Sequence, residues 1–159
     1  MTPDEVRALW DMGRFDEHHA AAMELVSREP ESGAAHVEAA LAYDRRGRAR
    51  DALRHYETAF QLGVPAARRR PFYVGYGSIL RELGRADDAV GVLGQAIAED
   101  PGYAPFAAFL ALALLEAGHA RAALATMLGC ALDAARPGAF DGHERALGEL
   151  QRLLLEPAQ

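Results

Sequence analysis

The chain has 159 residues, half of them hydrophobic and a quarter charged, with a formal net charge of −6. That composition suits one globular unit with a sizeable core and excludes a disordered or fibrous chain, while the acidic balance disfavours nonspecific binding to nucleic acid or to an anionic membrane. No window approaches the roughly 18 uncharged apolar residues of a membrane span, and acidic Asp4, Glu5 and Asp11 stand where a signal peptide needs a basic start and an apolar run, so a cytoplasmic location is expected.

Thr2 and Pro3 open a first helix as N-cap and first-turn residue, with Asp4 and Glu5 well placed against the helix dipole, and the helix ends near Met12. Gly13 turns the chain into a second helix over about 15–28, striped by Phe15, Ala22, Leu25 and Val26. A linker from Glu29 to Gly33 precedes a helix over 34–46 carrying Val37, Ala40, Leu41 and Tyr43. Gly47 breaks that helix, and its partner over 49–62 turns Ala52, Leu53, Tyr56, Ala59 and Phe60 inward. The stretch GVPAARRR, 63–70, adds three residues to the spacing and is expected to be an exposed loop, with Arg68, Arg69 and Arg70 just ahead of the next helix's first turn, a poor place for cations. From Pro71 to Pro101 two amphipathic helices meet at Gly84 and stop at Asp100 and Pro101. A last pair over 106–117 and 120–134, parted by Gly118, is apolar around more than half its circumference and needs cover. The segment 139–156 is expected to give it as a capping helix, with Phe140, Leu147, Leu150, Leu153 and Leu154 in one stripe.

The breaking glycines Gly13, Gly47, Gly84 and Gly118 recur at intervals of 34, 37 and 34 residues. Two residues after each come Phe15, Ala49, Ala86 and Ala120, and at five come His18, Ala52, Ala89 and Ala123. A helix–turn–helix period of this length, with small residues where helices must approach closely, resembles the tetratricopeptide repeat. The stretches YDRRGRARDALRHYETAFQLG, YGSILRELGRADDAVGVLGQAIAEDPG and FLALALLEAGHARAALATML are similar to the bacterial tetratricopeptide repeat group 5 family, as is the run from Gly77 to Arg85. The resemblance implies an all-α, right-handed solenoid of antiparallel hairpins in one domain over 1–159. Its repeats fall at about 1–31, 32–66, 69–102 and 103–136, with the capping helix at 139–156.

The resemblance also implies a module that binds a protein or peptide in a concave groove lined by the first helix of each pair. Carried along the repeat, the peptide-binding positions are Trp10 in the first copy, and Leu41, Asp44 and Arg45 in the second. In the third they are Val74, Ser78, Arg81 and Glu82, and in the fourth Leu112 and Leu115. An apolar floor with a few arginines suits an extended peptide or amphipathic helix bearing a carboxylate. The chain has no lysine and no asparagine, which removes the residue set of the chaperone-tail carboxylate clamp; its 17 basic residues are all arginine. The cluster of Arg45, Arg46, Arg48, Arg50 and Arg54 with Arg68 to Arg70 reads as solvated helix ends and loop, paired locally to Asp44, Asp51 and Glu57, rather than as a phosphate patch.

Neither DEHH at 16–19 nor DGHE at 141–144 has the i, i+4 spacing of a metal-binding helix, and no metal or cofactor is expected. Ser78 and Cys130 are the only plausible nucleophiles, with no histidine or acid placed beside either by the repeat, so no catalytic residue and no enzyme is expected. Cys130, the single cysteine, falls on a helix's inner face. The partner is then a protein or peptide, not nucleic acid or membrane, and the chain a monomer or homodimer. The alternative use is self-association through the groove or an end face.

Overall fold

The computed structural model describes residues 1–157, and among these the chain forms nine α-helices, one 3-10 turn and no strand. The elements are α1 (Pro3–Asp11), α2 (Phe15–Arg28), α3 (Gly33–Arg45), α4 (Ala49–Leu62), the 3-10 turn (Ala66–Arg68), α5 (Arg69–Glu82), α6 (Ala86–Glu99), α7 (Ala104–Glu116), α8 (Ala120–Ala134) and α9 (Glu144–Leu155). They fall into two compact units, Met1–Leu83 and Gly84–Gln159, so that the division passes between α5 and α6.

Local chemistry sets the helix ends. Thr2 caps α1 through a full capping box: its side chain accepts from the Glu5 amide at 3.3 Å, and its own amide donates to Glu5 Oε2 at 2.7 Å. At the other end Gly13 sits at φ 72°, where its amide donates to the Trp10 carbonyl and the Arg14 amide to that of Leu9. The same two bonds close α3 at Gly47 (φ 69°) and α7 at Gly118 (φ 87°), each a Schellman turn that satisfies two orphan carbonyls and demands the left-handed conformation that glycine adopts without penalty. Each turn folds the chain back so that α1 packs on α2, α3 on α4 and α7 on α8.

In the first unit α3 is the central element, touching α1, α2, α4 and α5. Eight of its residues, Ala35 to Ala42, are buried in succession, which accounts for its alanine content: small side chains let neighbouring helices approach from several sides. Val6, Ala22, Leu25, Ala35 and Ala42 form the core where α1, α2 and α3 meet. Where α4 meets α5 the filling is aromatic: Tyr56 stacks on Tyr76 at 5.7 Å between centroids and meets the Phe72 ring edge-on at 5.5 Å. The Tyr56 hydroxyl passes over α5 to donate to Asp44 Oδ2 at 2.8 Å, a path open only because residue 75 is glycine. A Cβ there would lie 2.0 Å from that hydroxyl.

In the second unit α6 packs on α7, α7 on α8 and α8 on α9. Leu93, Ala96, Phe106, Ala111, Ala113, Ala123 and Ala125 are buried. The capping helix is shorter than expected and covers less. It starts at Glu144 rather than Ala139, none of its residues is buried, and Leu150, Leu153 and Leu155 are each more than half exposed while Leu147 and Leu154 are half-covered. Twelve residues lying against α8 bury one edge of a stripe, not its whole width. Gln151 lies over Gly129, and Arg121 donates to the Leu153 carbonyl at 3.1 Å.

The insertion at 63–70 is mostly exposed, as expected, but it is not simply a loop and one of its arginines is not at the surface. It contains the 3-10 turn and the start of α5, and Arg68 is carried into the interior. The insertion is therefore structural: its extra residues reach a partner that a minimal linker would leave buried and unpaired.

Candidate functional site

The first helices of the first unit lie side by side, with α3 touching both α1 and α5. Their C-terminal ends bring several expected positions together. Trp10 at the end of α1 meets Phe15 and His18 edge-on, each at 5.2 Å. Arg45 at the end of α3 sets its guanidinium over Phe15 at 3.4 Å from the ring centroid and stands 6.0 Å from the Trp10 ring. Asp44, beside it, is half-buried, and burial, together with the charge of Glu82 at the end of α5, holds its carboxyl above the usual aspartate range despite the Tyr56 hydroxyl that donates to it. Val74, Ser78 and Arg81 are half-buried along α5, and Glu82 is exposed.

Leu41 does not join this face. At 5% exposure it belongs to the packed interior of α3, the helix with neighbours on the most sides. Asp44 does not pair with a local arginine as expected; its hydrogen bond comes from Tyr56 on the next helix. In the second unit Leu112 and Leu115 both face solvent on α7.

Beneath Trp10 lies a buried polar network that the sequence reading missed. Arg68 donates through Nε and Nη2 to the two oxygens of Glu38, both at 2.7 Å, and His18 Nε2 is 2.8 Å from Glu38 Oε2. The three side chains are only 7%, 3% and 1% exposed. Arg68 also stands 6.0 Å from the Trp10 ring, as Arg45 does, so two guanidiniums lie near the indole. A sequence signal existed: Glu38 stands between Val37 and the apolar run Ala39–Ala42 of α3, and a buried carboxylate requires a partner.

A second polar group joins α3 to α4. His36 Nε2 reaches the Pro30 carbonyl at 2.8 Å, so it carries the proton, and the neutral ring then offers Nδ1 as acceptor to His55 Nδ1, 2.9 Å away. Burial, and then the neighbouring His36, hold His55 below its ordinary pKa; burial does the same for His19. Three further arginines of the cluster pair on the surface. Arg46 meets Asp16, while Arg48 and Arg54 share Asp51. Arg14 with Glu17, Arg48 with Asp51 and Arg85 with Asp88 repeat one device, an arginine at the N-cap bound to an acid three residues on.

Among the described residues no three histidine, cysteine, aspartate or glutamate side chains gather as a metal site, and no helix is long and apolar enough to cross a membrane. Cys130 is half-buried, its thiol 3.5 Å from the Ala104 carbonyl.

Helix pairs closed by a left-handed glycine and repeated at about 34 residues define an α-helical repeat protein. The profile of the Tetratrico peptide repeat family TPR_5 matches residues 33–137, and the chain belongs to that family. Its fold is similar to that of YrrB, described as a TPR protein with an unusual peptide-binding site, at 17% identity and a TM-score of 0.70 over 94% of this chain and 77% of that one. It is also similar to TTC0263, a thermophilic TPR protein of Thermus thermophilus, at 23% identity and a TM-score of 0.58 over 93% of this chain and 78% of that one. No curated protein gives a significant match. TPR proteins generally mediate protein–protein interaction.

Proposed function

We propose that this chain is a protein-interaction module that takes a peptide or helix of a partner along the faces of its first helices, without catalysis. The observation that carries the reading is the meeting of Trp10, Asp44, Arg45 and Glu82 at the ends of α1, α3 and α5. An anchoring aromatic and charges of both signs lie together there on rigid helices. The solved relative described as having a peptide-binding site lends weight to the same use here.

Arg81→Glu and Glu82→Arg, both on α5 of the first unit, test it. A partner recovered by the wild-type chain from extract of the cells that make it is lost or strongly reduced with both variants, while helical circular dichroism is unchanged. Recovery of the same partners by all three proteins refutes the reading.

The exposed Leu150, Leu153 and Leu155 of α9 favour self-association as a second reading. Sedimentation equilibrium decides it: a monomer at every concentration removes the homodimer, and a dimer that Leu150→Glu dissociates establishes it.

A further inference from the structure

One hollow of the first unit has both the size and the lining of a ligand site. It encloses about 330 Å³ between Trp10, Phe15, His18, Ala42 and Arg45, with the Arg46–Asp16 ion pair at its rim. That volume lies at the lower end of the range for pockets that take small organic groups. The lining combines the rings of Trp10, Phe15 and His18 with the Arg45 guanidinium, while Asp16 and Arg46 at the rim pair with each other. His18 is already committed to Glu38 through Nε2.

Arg45 is held in an unusual way. The centre of its guanidinium lies over the Phe15 ring at 3.4 Å from the centroid, close enough to require stacking, and no carboxylate pairs with it among the described residues. Stacking uses the face of the guanidinium and leaves its in-plane N–H groups directed outward, the geometry that grips two carboxylate oxygens at once. The local charge points the same way. Arg45, Arg46 and Arg68 surround the hollow or back its tryptophan, against Asp16 and Glu38. With Arg46 and Arg68 paired to these acids, Arg45 leaves the hollow with a net positive charge in a chain of net charge −6.

We infer that this hollow is a carboxylate site, in which Arg45 binds the two oxygens edge-on while Trp10 and Phe15 hold the apolar or aromatic body that carries them. The inference rests on the peptide-interaction reading only for where the carboxylate comes from, either a chain terminus or an acidic side chain. Phe15 orients the arginine by stacking. The Arg68–Glu38–His18 network sets the tryptophan from beneath.

Trp10 is the only tryptophan, so its fluorescence reports this hollow and nothing else. Three probes are titrated: N-acetylphenylalanine, with a terminal carboxylate; N-acetyl-aspartyl-phenylalanine amide, with an internal one; and N-acetylphenylalanine amide, with none. The inference expects a saturable change with at least one of the two acids, which of them identifying the source, and none with the neutral amide. Arg45→Ala weakens the response by roughly 10- to 100-fold, the range for loss of a charge-assisted bidentate contact. Arg45→Lys, which keeps the charge but not the fork, falls between, and circular dichroism confirms that both variants are folded. No saturable change with either acid, equal binding of the amide, or an Arg45→Ala variant that binds like wild type overturns the inference. If the probes fail while Arg81→Glu still costs the partner in pull-down, the interaction reading stands without this pocket. If the probes bind and the pull-down is indifferent, the pocket stands alone.

Discussion

Replacing Arg68 by methionine keeps the length of its aliphatic stem and removes the guanidinium, leaving the Glu38 carboxylate inside the protein with only His18 for company. Both oxygens of Glu38 are engaged by Arg68 at 2.7 Å and neither can turn to water, since its side chain is 3% exposed. Breaking a buried pair from one side costs about 3–5 kcal/mol, several times the worth of a surface ion pair, because the remaining charge is stranded. Against a total stability of about 5–15 kcal/mol this is a large fraction. At about 2–4 °C per kcal/mol for a chain of this size, the melting temperature should fall by roughly 6–20 °C. Thermal and urea melts followed by circular dichroism measure it. Glu38→Leu combined with Arg68→Met removes both charges, and most of the loss should return, less about 1–3 kcal/mol for the His18 ring nitrogen left without its acceptor. A single variant costing under about 1 kcal/mol, or a double variant no better than the single, would refute the claim that this pair is buried and mutually dependent.

Gly75→Ala should destabilise by about 1–3 kcal/mol, because its Cβ meets the buried Tyr56 hydroxyl. Tyr56→Phe should relieve part of that, so the urea-melt costs of the two substitutions should be less than additive; strict additivity would mean that the ring and the glycine do not touch. Asp44 has a raised folded pKa, so its contribution is fully present below the unfolded value and is lost as pH rises through the folded one. Asp44→Asn keeps an acceptor for Tyr56 and should match or exceed wild-type stability at about pH 7, the advantage vanishing in melts near pH 3. His55 behaves in the opposite sense, since its depressed pKa gives stability present above about 6.5 and lost as pH falls through the folded value. His55→Gln retains a donor toward His36 without ionising, and should flatten the decline in urea midpoint between about pH 7.5 and 5.5 by at most about 1.4 kcal/mol per pH unit. Leu93→Asp, at a side chain 1% exposed, should abolish the helical signal of the second unit.

The periodic parts of this fold were legible because one device writes them. A glycine in the left-handed conformation leaves a sequence mark, and the helices on either side of Gly13, Gly47 and Gly118 begin and end within two residues of where the spacing puts them. What was hidden lies across the period. Arg68 looks like one of three exposed arginines until the chain is folded, and only then does it meet Glu38, thirty positions earlier. The Arg45–Phe15 stack and the His36–His55 bond likewise join residues nineteen to thirty apart, distances that a pattern of helical faces does not report. Leu41 shows the limit of carrying a family position over by register. It occupies the expected face of α3, but that helix is packed on so many sides that the position has become core. Among the glycines inside helices, close packing explains Gly75, whereas a Cβ at Gly91 or Gly94 would meet nothing.

The buried network and the proposed carboxylate site share a side chain, and the sharing couples stability to binding. Trp10 stands 6.0 Å from the guanidinium of Arg68 and 6.0 Å from that of Arg45. An indole within reach of two cations and packed on His18 is held in part by each, so loss of Arg68, which also frees Glu38 and His18, loosens the tryptophan that walls the hollow even where the helices remain folded. Arg68→Met should therefore weaken N-acetylphenylalanine binding under conditions where circular dichroism still reports a native protein, and should shift the tryptophan emission of the free chain. Asp51→Ala breaks only the surface pairs of Arg48 and Arg54 and should leave both readouts unchanged. An Arg68→Met protein that is destabilised but binds the probe like wild type would separate the two, leaving the network as scaffold and the hollow as an independent feature of Arg45 and Phe15.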